Sequence, residues 1–118
     1  MDSNRVRVTE LAEHLWVVEL TGEHDLATAE QVEAAIDRVF SSGSKLVLDL
    51  SGATFVDSSV LAAILRAQGR ADLSEHDELA VVAPAGSPAR RLFDLVVVGD
   101  RVRICESRAA AIDAPHRR

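Results

Sequence analysis

Residues 5–10 (RVRVTE) alternate polar and apolar one by one, the two-residue period of a strand with one face buried. Residues 14–21 (HLWVVELT) are richer in apolar side chains and stop at Gly22. Together they predict two antiparallel strands joined by the short LAE turn. The period then changes. Ala29, Val32, Ile36, Val39 and Phe40 recur at three- and four-residue steps and mark one apolar face of a helix. Thr28, with Gln31 three residues on, has the form of a capping box that would start this helix, and Ser42–Gly43 would close it.

Residues 45–50 (KLVLDL) form a short apolar run between turn residues, as expected of a central strand buried on both faces. Helical spacing resumes at Leu61, Ile64, Leu65 and Gln68, with Arg66 and Arg70 on another face. Residues 78–83 (ELAVVA) predict a strand ended by Pro84 and Gly86. Pro88 opens a short helix, PARRLFDLV, with Ser87 as its N-cap. Residues 101–106 (RVRICE) predict the last strand, and residues 107–113 a short helix before the polar tail APHRR at 114–118. This order predicts an α/β fold: a mixed, mostly parallel sheet of about five strands, opened by an antiparallel hairpin, with about four helices and right-handed crossovers. Neither a repeat nor a linker interrupts the chain, so one domain is expected over residues 1–118, with its core at about 5–113.

Composition narrows the chemistry. The 118 residues are 47% hydrophobic but include only one tryptophan, three phenylalanines and no tyrosine. Such a core is aliphatic, suited to helices on a sheet rather than to an aromatic-lined cleft. Thirteen basic residues against 19 acidic give a net charge of −6, so the basic footprint that nucleic-acid binding requires is missing. The Arg90–Arg91 and Arg101/Arg103 pairs read as solvated faces. An acidic surface leaves a protein partner or a small solute as ligand. A single cysteine, Cys105, forms no internal disulfide; alternating with Val102 and Ile104, it reads as a structural or surface thiol whose one redox route is an intermolecular disulfide. The N-terminus, MDSNRVRV, lacks the apolar stretch of a secretory signal, and no apolar run approaches the ~20 residues that span a bilayer. The expectation is a cytoplasmic protein without membrane insertion.

Catalytic constellations fail one by one. His14, His24, His76 and His116 are scattered, without a helical HxxxH pair or a Cys/His cluster. His24, between Glu23 and Asp25 in GEHDLA, is the nearest to a metal ligand, yet a loop-exposed histidine is the plainer expectation. Phosphate-binding loops of the GxxxxGK[ST] or GxGxxG kind do not occur, and Ser58 in VDSSV lacks a GxSxG elbow. No enzyme, cofactor or metal is expected.

The stretch TFVDSSVLAAIL at 54–65 is different. A strand ending at Val56 and a helix beginning near Val60 leave Asp57, Ser58 and Ser59 at a helix N-terminus, with its unpaired N–H groups and positive dipole end. A cap needs one such residue, either Asp57 or Ser58 here, not three in a row. A phosphoryl group on the spare hydroxyl would add about −1.5 to −2 charges, which the helix terminus could hold. Its effect would fall on a partner, through like-charge repulsion reinforced by Asp57 and Asp25. The residues alone leave both a plain cap and a switch open.

Three stretches, LTGEHDLATA at 20–29, LVLDLSGATFVDSSVL at 46–61 and SPARRLFDLV at 87–96, resemble the STAS domain of bacterial anti-sigma factor antagonists (anti-anti-sigma factors). The resemblance extends over roughly residues 5–113. It implies the STAS fold and a partner-switching role in transcription regulation. In that family the unphosphorylated antagonist binds an anti-sigma factor, usually a serine kinase using ATP, and frees the sigma factor. The kinase phosphorylates the serine directly after the motif's aspartate, the pair separates, and a phosphatase restores the active form. By motif position the acceptor is Ser58, preceded by Asp57 and followed by Ser59, while Asp25 is the acid of the GE-x-D loop beside it. ATP belongs to the partner. One position departs: the family generally has glycine where this chain has Val60, and a β-branched side chain there adds bulk at the expected contact surface. Two alternatives stand beside this reading. One is an accessory subunit of a membrane transporter, binding without a phosphorylation switch; the other is a sensor that holds a nucleotide phosphate at the same helix terminus.

Overall fold

In the computed structural model, which describes residues 4–40, 43–96 and 100–114, β1 (Asn4–Ala12) folds back antiparallel on β2 (Leu15–His24). His14 turns the hairpin with a positive φ of 63°. The chain then alternates through α1 (Leu26–Phe40), β3 (Lys45–Val56), α2 (Ser58–Asp72), β4 (Glu78–Val82), α3 (Pro88–Val96), β5 (Ile104–Cys105) and α4 (Arg108–Asp113). The sheet order is β1-β2-β3-β4-β5, with every pair after the first parallel, because each crossover passes through a helix. The α/β expectation holds: the described residues form five strands, four helices and one antiparallel hairpin.

Alternation along the strands sorts the core into two layers. Val18, Leu20, Leu46, Leu48, Leu50, Leu79 and Val81 pack with Val32 and Ile36 of α1, Ile64 of α2 and Phe93 of α3. The intervening Val17, Val47, Ala80 and Val82 pack with Ala111 of α4. Thus β3 and β4 are covered on both sides, which is why they read as continuous apolar runs. Each fully buried leucine or valine contributes about 1.5–3 kcal/mol.

Four boundaries differ from expectation. Gly22 does not end β2; its φ of 83° accommodates a slip in the register between β2 and β3, and the strand continues to His24. β3 likewise runs past Leu50 through the polar SGAT segment, pairing Thr21 with Gly52 and His24 with Val56. Gly52 is required there, since a Cβ would lie 2.9 Å from Thr21 Cγ2. α2 starts at Ser58, two residues before Val60. β5 shrinks to two residues beside β4, flanked by bonds from Val81 N–H to Arg103 O and Ala83 N–H to Cys105 O. Ser42 and tail residues 115–118 lie outside the described residues.

The aspartate in the middle of LVLDL has its own explanation. Asp49 is buried on the α4 side of the sheet. Its Oδ1 accepts the N–H and hydroxyl of Ser51, and its Oδ2 accepts Nε and Nη2 of Arg108. At the other end of α4, Lys45 Nζ donates to the carbonyls of Ile112 and Ala114. The last helix is therefore pinned at both ends by strand β3. No helix among the described residues is long and apolar enough to cross a membrane.

Candidate functional site

β2 and β3 are parallel neighbours that end together, with His24 opposite Val56. α1 and α2 consequently begin side by side at one edge of the sheet. The N–H of Asp57 donates to the carbonyl of His24 at 3.2 Å, joining the two starts.

Each start is capped by an aspartate. Asp25 Oδ1 accepts the N–H of Ala27 at 2.9 Å, and the Asp25 carbonyl accepts those of Thr28 and Ala29. Thr28 is thus not the cap that its pairing with Gln31 suggested. It is the third helical residue, and its hydroxyl reaches back to accept the N–H of Asp25 at 3.1 Å. The reciprocal box is Asp25 with Thr28, one turn earlier than predicted.

Asp57 caps α2. Its Oδ1 accepts the N–H of Ser59 at 2.9 Å, that of Val60 at 3.4 Å, and the Ser59 hydroxyl. The Ser59 hydroxyl bond is the main cause that holds the Asp57 carboxyl below its usual range; burial opposes it, and the N–H groups of Ser59, Val60 and Leu26 reinforce it.

The two serines are therefore unequal. Ser59 is half-buried and its hydroxyl is committed to the cap. Ser58, the first residue of α2, is exposed, and its hydroxyl makes no hydrogen bond among the described residues. A phosphoryl group on Ser58 would also meet a changed electrostatic setting. The amides of Ser59 and Val60 are already taken by Asp57, so the new charge would add to the Asp57 carboxylate rather than displace solvent from open amides. Asp25, exposed, stands at the neighbouring cap.

Val60 does not extend this surface. Its side chain is fully buried in the main core, so the bulk expected at a contact surface points inward. The outward apolar groups at this edge are Leu26, 75% exposed at the start of α1, and Phe55, 47% exposed just before the end of β3.

His24 also departs from expectation. It is completely buried, and the described residues contain no cluster of three or more potential metal ligands. Its ring lies 2.9 Å from the Thr21 carbonyl and 3.1 Å from the Thr28 hydroxyl. The four-residue spacing of His24 and Thr28 was the only sequence signal of that pairing. Away from this edge, Arg90 is no solvated face: its Nη1 donates to Glu106 at 2.6 Å and to the Ala83 carbonyl at 3.1 Å, joining α3 to the loops on either side. Cys105 is a half-buried free thiol. Between α1 and α2 a shallow groove is spanned by the ion pairs Glu33–Arg66 and Asp37–Arg70.

The family described as "Mlab, STAS domain" matches residues 8–102. No curated protein matches the sequence at a significant level. Among solved structures, an anti-sigma factor antagonist from Mycobacterium paratuberculosis superposes with a TM-score of 0.84 at 26% identity, covering 95% of this chain and 93% of that one. SpoIIAA, an anti-sigma factor antagonist, superposes in its unphosphorylated form at 0.75 and 20% identity, covering 92% and 94%. The Bacillus cell fate determinant SpoIIAA in its phosphorylated form gives 0.69 at 20% identity, covering 92% and 97%.

Proposed function

The chain belongs to the STAS domain family, and from that membership we propose that it acts as a single-domain, non-enzymatic anti-sigma factor antagonist in the cytoplasm, switched off by phosphorylation of Ser58. One observation carries the switch: of the two adjacent hydroxyls, Ser59 is used by the cap and Ser58 is free and exposed. Likeness to the Mycobacterium antagonist supports the role, and the two states of SpoIIAA supply a phosphorylated precedent for the fold.

In this reading the partner is an anti-sigma factor that is itself a serine kinase and brings the ATP. It docks on the edge formed by Asp25, Leu26, Phe55 and the Asp57–Ser59 turn, and the antagonist frees the sigma factor by occupying it. Phosphate on Ser58 sets a second negative group beside Asp57 and near Asp25. Repulsion and the cost of burying that charge then separate the pair. A phosphatase reverses the state.

Bulk from Val60 at the contact surface would favour the alternative of a transporter subunit, which needs no kinase recognition. With Val60 inside the core, that support disappears. Incubation with a kinase-type anti-sigma factor and ATP, followed by mapping of the phosphate by mass spectrometry, tests the assignment. Phosphate on Ser58, absent in Ser58→Ala, is expected; unchanged phosphorylation of Ser58→Ala would remove it.

A further inference from the structure

His24 is buried completely, although it lies between two acids in a stretch that reads as an exposed loop. Its ring nitrogens face different partners. Nε2 is 2.9 Å from the carbonyl oxygen of Thr21, and Nδ1 is 3.1 Å from the hydroxyl of Thr28. A carbonyl only accepts, so Nε2 carries the proton and, in the neutral ring, Nδ1 presents its lone pair. The Thr28 hydroxyl has one proton to give. The Asp25 carbonyl, 3.2 Å away, already accepts the N–H groups of Thr28 and Ala29 at 3.0 Å each. Nδ1 has only this hydroxyl within hydrogen-bonding reach among the described residues, and an unpaired buried acceptor is costly, so in the neutral ring the hydroxyl turns from the Asp25 carbonyl to donate to Nδ1.

The bonds then form one directed chain. Asp25 N–H donates to Thr28 Oγ, Thr28 O–H to His24 Nδ1, and His24 Nε2–H to the Thr21 carbonyl on β2. The His24 carbonyl accepts from Asp57 N–H, which adds the cap of α2 to the same assembly. Imidazole suits the position because it is a rigid ring that accepts at one nitrogen and donates at the other.

We propose that His24 is a positioning residue for the Ser58 surface: with Nε2–H on the Thr21 carbonyl and Nδ1 on the Thr28 hydroxyl, it fixes the loop bearing Asp25 and locks the start of α1 to the cap of α2. It touches neither the partner nor Ser58 and acts through Asp25 and Asp57. The functional consequence rests on the reading of Ser58 as the modified residue; the linkage of the two caps does not.

Three measurements test it. Imidazole nitrogen NMR spectra at about pH 8 should show His24 protonated at Nε2 with a lone-pair Nδ1. A proton on Nδ1 would overturn the chain. Thr28→Val keeps the shape of threonine and removes the relay hydroxyl. Amide hydrogen exchange should then speed up about tenfold at Ser59 and Val60 as well as in the first turn of α1, with Val47 and Leu48 unchanged. Acceleration confined to α1 would defeat the coupling. His24→Gln, which keeps a donor near the Nε2 position, should disturb the same amides; if it fails to fold, Thr28→Val still decides.

With the kinase that modifies Ser58, Thr28→Val should raise KM about tenfold and leave kcat unchanged, because the loop's position belongs to docking. A fall in kcat with KM unchanged would contradict the positioning role. If the wild-type chain is not phosphorylated at Ser58, the reading of Ser58 fails, while the spectra and the exchange rates still decide the role of His24.

Discussion

Arg108, at the start of the last helix, places Nε and Nη2 on Oδ2 of Asp49 at 3.1 and 2.8 Å, so the buried acid of the central strand is matched by a cation 59 residues away in the chain. The same guanidinium reaches Glu19 on β2 at 3.2 Å. α4 is thereby held on the second face of the sheet by charge as well as by Ala111.

This pair sets a pH dependence. Burial raises the Asp49 carboxyl, but the Ser51 hydroxyl and N–H and the Arg108 guanidinium outweigh it, leaving the group below its ordinary value of 3.8. A carboxylate with a depressed folded value stabilises the fold above its unfolded value, and that contribution is lost as pH falls through the folded one. Urea midpoints should therefore hold steady near neutrality and fall below about pH 4. Asp49→Asn should reduce that acid-side decline and be less stable at neutral pH by about 1–3 kcal/mol, short of a fully buried pair because Arg108 is part-exposed. An unaltered acid limb in the variant would show that Asp49 is not the group responsible.

The unequal serines predict unequal variants. Ser58→Ala removes a hydroxyl without a partner and should change stability by less than about 0.5 kcal/mol. Ser59→Ala removes a bond to the capping carboxylate and should cost about 1 kcal/mol. Equilibrium unfolding compares them directly, and the reverse order would contradict the geometry of the cap.

Asp57 serves as both cap and charge, and two substitutions separate these roles. Asp57→Ala should destabilise by about 1 kcal/mol, whereas Asp57→Asn, a good cap without the charge, should cost a few tenths. With phosphate on Ser58, Asp57→Asn should hold the anti-sigma partner more tightly than wild type does, because one repelling carboxylate is gone. Equal affinities by calorimetry would mean that Asp57 takes no part in the repulsion.

Val60→Gly restores the residue the family generally carries. Here it empties a buried site and places glycine in the first turn of a helix, for a combined cost of about 2–4 kcal/mol. Phosphorylation by the kinase, measured where both proteins are folded, should stay at the wild-type rate. A faster reaction with unchanged stability would return Val60 to the contact surface.

Most of the element order was legible in the sequence. The alternating period of residues 5–10, the helical period from Ala29 to Phe40 and the bounds of PARRLFDLV each depend on residues a few positions apart, and α3 occupies Pro88–Val96 as predicted. The DSS turn was also legible as a helix start, because an acid and hydroxyls between a strand and a helix have a local use. Less visible were the extensions of β2 and β3. A polar SGAT segment reads as a turn, and only a neighbouring strand supplies the bonds that make it extended.

Four residues mark where local pattern ends. Sequence order places Val60 beside the serines, but the direction of its side chain follows from how α2 settles on the sheet. Sequence order places His24 between two acids, but its burial comes from the parallel pairing of β2 with β3 and the start of α1 above it. Asp49 and Arg108 carry no mark of each other along the chain. The sequence by itself determined the order of the strands and helices, since hydrophobic period is a property of near neighbours, while the lengths of β2, β3 and β5 came from pairing. Tertiary structure decided which serine is free, where the histidine's two nitrogens bond and what neutralises the buried acid, because each depends on the packing of segments distant in the chain.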